Sequence, residues 1–86
     1  MEYEDLETLN RIGLFLPYVS DLPKKLRKLK RKAKHSRSGQ AGTNFTKGEL
    51  VDLIAAGKER LSVLKPGCEQ AERTRFVLML LEDYEG

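Results

Sequence analysis

The 86-residue chain holds one cysteine, one histidine and no tryptophan, and each scarcity closes off a class of protein. A lone Cys68 cannot form an internal disulfide and fits a reducing compartment. Following Pro66-Gly67 at a helix start, it reads as a half-buried structural thiol. His35 has no second metal ligand near it in sequence, so no metal-binding spacing exists. One histidine, one cysteine and scattered acids supply no recognisable nucleophile and base. The glycine-bearing stretch Ser38 to Gly42 lacks the spacing and the trailing Lys-Ser/Thr of a phosphate loop. The expectation is a protein that is not an enzyme and has no cofactor or metal.

Long apolar runs are also missing. The run from Phe76 to Leu81 has six residues, against about 18 needed to cross a bilayer. The N-terminus is acidic, whereas a secretory signal is basic and then apolar. These features predict an intracellular protein, cytoplasmic, or nuclear if the source is eukaryotic or viral. A chain this short forms one domain, residues 1–86, and buries only about 60–65% of the surface its unfolded form exposes.

Acids are absent from positions 24 to 37, and what stands there instead is the strongest feature of the sequence. Nine of the sixteen Lys and Arg residues fall in this stretch: Lys24, Lys25, Arg27, Lys28, Lys30, Arg31, Lys32, Lys34 and Arg37. The other 72 residues hold seven bases and all thirteen acids, a net charge of −6. The formal total of +3 thus conceals a +9 block set in an acidic body. Such a block seeks a polyanion: nucleic acid, an acidic protein surface or an anionic membrane.

Hydrophobic spacing predicts an all-α, small four-helix domain, with helices at about 4–16, 21–35, 46–63 and 68–84. In the first, Leu6, Leu9, Ile12, Phe15 and Leu16 share a stripe, acids crowd the first turn, and Pro17 ends it. In the second, capped by Ser20 or Asp21, Leu22, Leu26, Leu29 and Ala33 make a narrow seam in an otherwise basic helix. Like charges at i, i+4 repel by a few tenths of a kcal/mol per pair. The second helix is therefore expected to be a mobile basic arm. Residues 35–45, with Gly39 and Gly42 and no periodicity, read as a flexible loop. Thr46 and Glu49 have capping-box spacing at the start of the third helix. Gly57 inside that helix marks either close packing or a bend.

The fourth helix carries the six-residue run that is apolar on every side. One face satisfies the core, and the other calls for a partner. A homodimer through Phe76, Val77, Leu80 and Leu81 is the expected solution, unless helices 1 and 3 sandwich helix 4.

For the basic segment, the expected function is binding or regulation of DNA or RNA through phosphates. Sequence preference should be modest, because only Arg27, Arg31 and Arg37 are good base readers. The segment itself lacks aromatic stacking platforms, and Tyr18 and Phe45 flank it. The alternative is a protein-interaction adaptor, with the Leu22, Leu26 and Leu29 seam docked on an acidic partner, or the same lysines read as a nuclear-import signal. A membrane surface is disfavoured by the thin seam and the lack of a tryptophan anchor. The acidic head (Glu2, Glu4, Asp5, Glu7) and tail (Glu82, Asp83, Glu85) are candidates to fold over the basic helix and compete with phosphate.

Overall fold

The computed structural model describes residues 1–17 and 20–84. Tyr18 and Glu85 lie outside the described residues. Four helices follow one another: α1 (Tyr3–Ile12), α2 (Leu22–His35), α3 (Lys47–Val63) and α4 (Glu69–Glu82). Among the described residues there is no strand, so the domain is all-α. None of its helices is long and apolar enough to cross a membrane.

The first helix is shorter than the periodicity predicts. It tightens into a 3₁₀ turn at Gly13–Phe15, which leaves Phe15 and Leu16 at the margin of the core while Leu6, Leu9 and Ile12 are fully buried. At the second helix, the Ser20 hydroxyl accepts from the Leu22 amide at 3.2 Å, so Ser20 supplies the cap contact and Asp21 none. The third opens on the expected capping box: Glu49 N–H donates to Thr46 Oγ1 at 3.1 Å and Thr46 N–H donates to Glu49 Oε1 at 2.9 Å. Gly67, with φ +81°, makes the sharp turn between α3 and α4 that a side chain would resist. The Cys68 sulfur then accepts from the Ala71 amide at 3.4 Å and caps α4.

The expectation of a mobile basic arm is corrected. Leu26 and Ala33 are fully buried, and Leu22 and Leu29 nearly so. The seam packs against α1 in an antiparallel pair, clamped by Asn10, whose amide donates to the carbonyls of Leu6 at 2.7 Å and Leu26 at 3.0 Å. Burying each leucine contributes about 1.5–3 kcal/mol. The nine like-charge pairs at i, i+3 or i, i+4 between Lys24 and Lys34 cost together only about 2–4 kcal/mol. Burial wins, and the helix docks.

The segment 35–45 makes contacts with both ends of the chain. Tyr3 N–H donates to Gly39 O and Ala41 N–H donates to Met1 O, both at 2.9 Å, and the Tyr84 hydroxyl donates to Thr43 O at 2.8 Å. Phe45 is 4% exposed and packs on Tyr84 with ring centroids 5.8 Å apart.

Gly57 is a packing residue. The third helix runs through it unbroken, and a Cβ there would sit 2.5 Å from Leu78 Cδ2 and 3.5 Å from Ile12 Cδ1. Its absence lets α3 close on α4 and α1 together. With α4 held between α1 and α3, Val77 and Leu81 are each 1% exposed. Two of the four residues expected at a dimer interface are therefore core residues of the single chain, because both neighbouring helices press on that face. Phe76, at 48%, and half-buried Leu80 stay open to the surface.

Candidate nucleic-acid interface

Because the apolar seam fixes the roll of α2 on α1, it also decides where the bases point. Lys24, Arg27, Lys28, Arg31, Lys32 and Lys34 are exposed on α2, and Arg37 is exposed just beyond its end. Fourteen residues give a helix about 21 Å long, so these seven charges are spread along one side of the domain. Among the described residues none of the seven is ion-paired with a carboxylate; the ion pairs join Arg11 to Glu7, Lys25 to Glu49, Arg73 to Glu4 and Glu69, and Arg75 to Glu72.

The acidic head does not cover the basic helix in this arrangement. Glu4 reaches across to Arg73 at 3.2 Å, and Glu7 pairs within its own helix with Arg11 at 3.3 Å. Asp5 turns away into a half-buried position beside Glu2, where burial first and then the Glu2 charge raise its carboxyl above the ordinary value. Masking in cis through these residues is an expectation that the fold corrects: α1 presents Asn10, not its acids, to α2.

Two of the nine bases have other work. Lys25 projects from the opposite flank of α2 toward the start of α3. Its ammonium donates to the Asn44 carbonyl, pairs with Glu49 Oε1 at 2.8 Å and lies 5.2 Å from the centre of the Phe45 ring. The Lys25 hydrogen bond and the Thr46 amide together hold the Glu49 carboxyl below its ordinary value. Lys25 is thus a structural clamp joining α2 to the capping box of α3. Lys30 is half-buried with its ammonium 5.9 Å from the Tyr3 ring centre.

Tyr3 joins the basic stripe in the fold, although nothing in the sequence places it there. The antiparallel pairing sets Asn10 against Leu26. Toward the start of α1, it brings Tyr3 beside Lys30. An open groove of about 430 Å³ lies there, lined by Tyr3 and Asn10 from α1 and by Arg27, Lys30, Arg31, Lys34 and His35 from α2. The four bases follow the spacing i, i+3, i+4, i+7 and form one stripe. Tyr3 and Asn10, seven apart, likewise share a face, but the signal emerges only once the two helices are paired. Phe45, one of the two flanking aromatics, is sealed in the core beneath Tyr84 and offers no open ring face.

The leucine seam is also removed from any partner, since Leu22, Leu26 and Leu29 belong to the domain's own core. An adaptor anchored on them would have to lift α2 from α1.

A second groove, of about 580 Å³, opens beside α4. Phe76, Leu80, Met1 and Tyr84 form its apolar part, and Glu2, Asp5 and Asp83 its acidic part. No protein-family model matches the sequence, and no curated protein or solved structure matches it.

Proposed function

We propose that this protein binds nucleic acid, acting as a non-enzymatic binding or regulatory protein that engages the phosphate backbone through α2. The observation that carries the reading is the set of seven exposed bases, unpaired among the described residues, six on a helix whose opposite face is locked into the core and Arg37 just beyond its end. A block of like charge kept without counter-charges stores repulsion that a polyanion relieves. Each phosphate neutralised also releases condensed counterions.

The rigid mounting matters for mechanism. A pre-formed helix does not have to be ordered on binding, so less conformational entropy opposes the contact. Because only the outward half of α2 is accessible, the helix lies along or across a backbone and reads charge spacing first. Arg27, Arg31 and Arg37 remain the side chains able to form bidentate contacts to bases, and sequence preference is accordingly modest. The setting that fits is the cell interior, cytoplasmic or nuclear. An acidic protein partner would meet the same charges without the leucine anchors.

The test is a triple variant, Lys24→Gln/Lys28→Gln/Arg31→Gln, compared with the native protein by fluorescence anisotropy on a labelled mixed-sequence oligonucleotide. Affinity should fall at least tenfold at about 100 mM salt, with the thermal melt unchanged or raised. An unchanged affinity would remove the basic face from the binding site.

A further inference from the structure

We infer that the groove between α1 and α2 takes an unpaired base stacked on Tyr3, which makes the ligand of the basic face a single-stranded nucleic acid. The inference rests on the phosphate-binding reading above and specifies its substrate.

Proteins that hold single strands combine a positively charged track for the backbone with aromatic faces for the bases. The basic helix alone supplies only the first. The fold adds the second, placing Tyr3 within the stripe of Arg27, Lys30, Arg31 and Lys34. At about 430 Å³ the groove falls in the range of small-molecule sites, about 300–1,000 Å³, and so admits a nucleobase with part of its sugar. A duplex keeps its bases stacked inside, away from a ring that lines a groove.

Tyr3 is also pre-set. Its backbone N–H is held by Gly39 O at 2.9 Å, and the preceding Glu2 forms a single antiparallel bridge with Gln40. The ring therefore starts from a fixed backbone position, and stacking costs little ordering.

The Lys30 ammonium, 5.9 Å from the ring centre, is at the outer limit of a cation–π contact. Such a contact is weaker than base–aromatic stacking. An arriving base displaces Lys30 from the ring, and the freed ammonium is then beside the strand's phosphate. Asn10 contributes a further group. Its amide protons are directed at the Leu6 and Leu26 carbonyls, which leaves Oδ1 as an acceptor for an exocyclic amine.

The experiment uses the full chain and three probes of one mixed sequence: single-stranded RNA, single-stranded DNA and the DNA duplex. Tyr3→Leu should weaken binding of at least one single strand by about 5- to 100-fold, the value of one stacked base. Tyr3→Phe should stay within about twofold of the native protein, and duplex affinity should be the same for all three proteins. In parallel, a strand carrying 4-thiouridine, irradiated with the native protein, should crosslink to Tyr3. That arm does not depend on any variant folding. Single-strand affinity unchanged in Tyr3→Leu, an equal loss on the duplex, or crosslinks confined to residues outside α1 and α2 would each overturn the stacking inference and leave phosphate binding intact. Failure of every probe to bind, with the triple variant equally inert, would overturn both.

Discussion

Replacing Lys25 by Met deletes a charge from the basic helix, and the structure says that it should cost stability rather than affinity. The ammonium contacts Glu49 at 2.8 Å with both side chains about one-quarter to one-third exposed, so solvent screening holds that pair to at most about 1 kcal/mol. The charged donor on the Asn44 carbonyl adds about 1 kcal/mol after the same discount. The Phe45 ring at 5.2 Å adds about 0.5 kcal/mol. These contacts share one ammonium and are not additive, so a net loss of about 1.5–2 kcal/mol is expected. For a domain of this size that lowers Tm by roughly 6–16 °C.

Lys28→Met is the matched control. Lys28 is exposed and, among the described residues, has no ion pair, so its removal should leave Tm unchanged or raise it by a few degrees as like-charge repulsion is relieved. It should reduce the dependence of log K on log salt by about 0.7 on a single strand, or about 0.9 on a duplex, if it meets one phosphate. Thermal melts by circular dichroism and anisotropy at several salt concentrations give both quantities for both variants. If Lys25→Met leaves Tm within about 2 °C, or lowers the salt slope as much as Lys28→Met does, the division of the nine bases into clamp and binding face is wrong.

Gly57→Ala gains about 1 kcal/mol of helix propensity but sets a methyl 2.5 Å from Leu78 Cδ2 and 3.2 Å from its Cγ. Overpacking of about 1–3 kcal/mol outweighs the gain, so Tm should drop by several degrees; a rise would show that the interface has slack. Glu49 gives a pH test. Its folded carboxyl titrates below the ordinary value of 4.5, so the stability that its charge contributes is fully present above that value and is lost as pH falls through the lower, folded one. The difference in Tm between the native protein and Glu49→Gln should be constant above about pH 5 and close below it. A difference that does not shrink at all as pH falls from about 5 to the acid limit of the folded protein would mean that the carboxylate charge is not the source.

Helix positions were legible from short-range patterns, and the capping box at Thr46 and Glu49 was legible residue by residue because both partners lie within one turn. What escaped was set by pairing between distant segments. Charge density on α2 argued for an arm in solution, yet three leucines and an alanine at correct spacing were enough to dock it once α1 offered a matching face. The loop 35–45 read as flexible because its anchors, Met1, Tyr3 and Tyr84, lie about forty residues away. The same distance hid Tyr3 from the basic stripe. Apolarity on all sides of α4 does not tell which face the chain itself covers: α1 and α3 bury Val77, Leu78 and Leu81, while Phe76 and Met79 stay about half exposed.

Anisotropy of labelled single-stranded RNA and duplex DNA, titrated with the native protein across about 50 to 300 mM salt, decides whether α2 is a phosphate-binding face. Binding should be micromolar or tighter at the low end, with log K falling with log salt at a slope of about −4 or steeper, as several phosphates require. No binding of either probe at 50 mM, or binding whose strength is indifferent to salt, would contradict it.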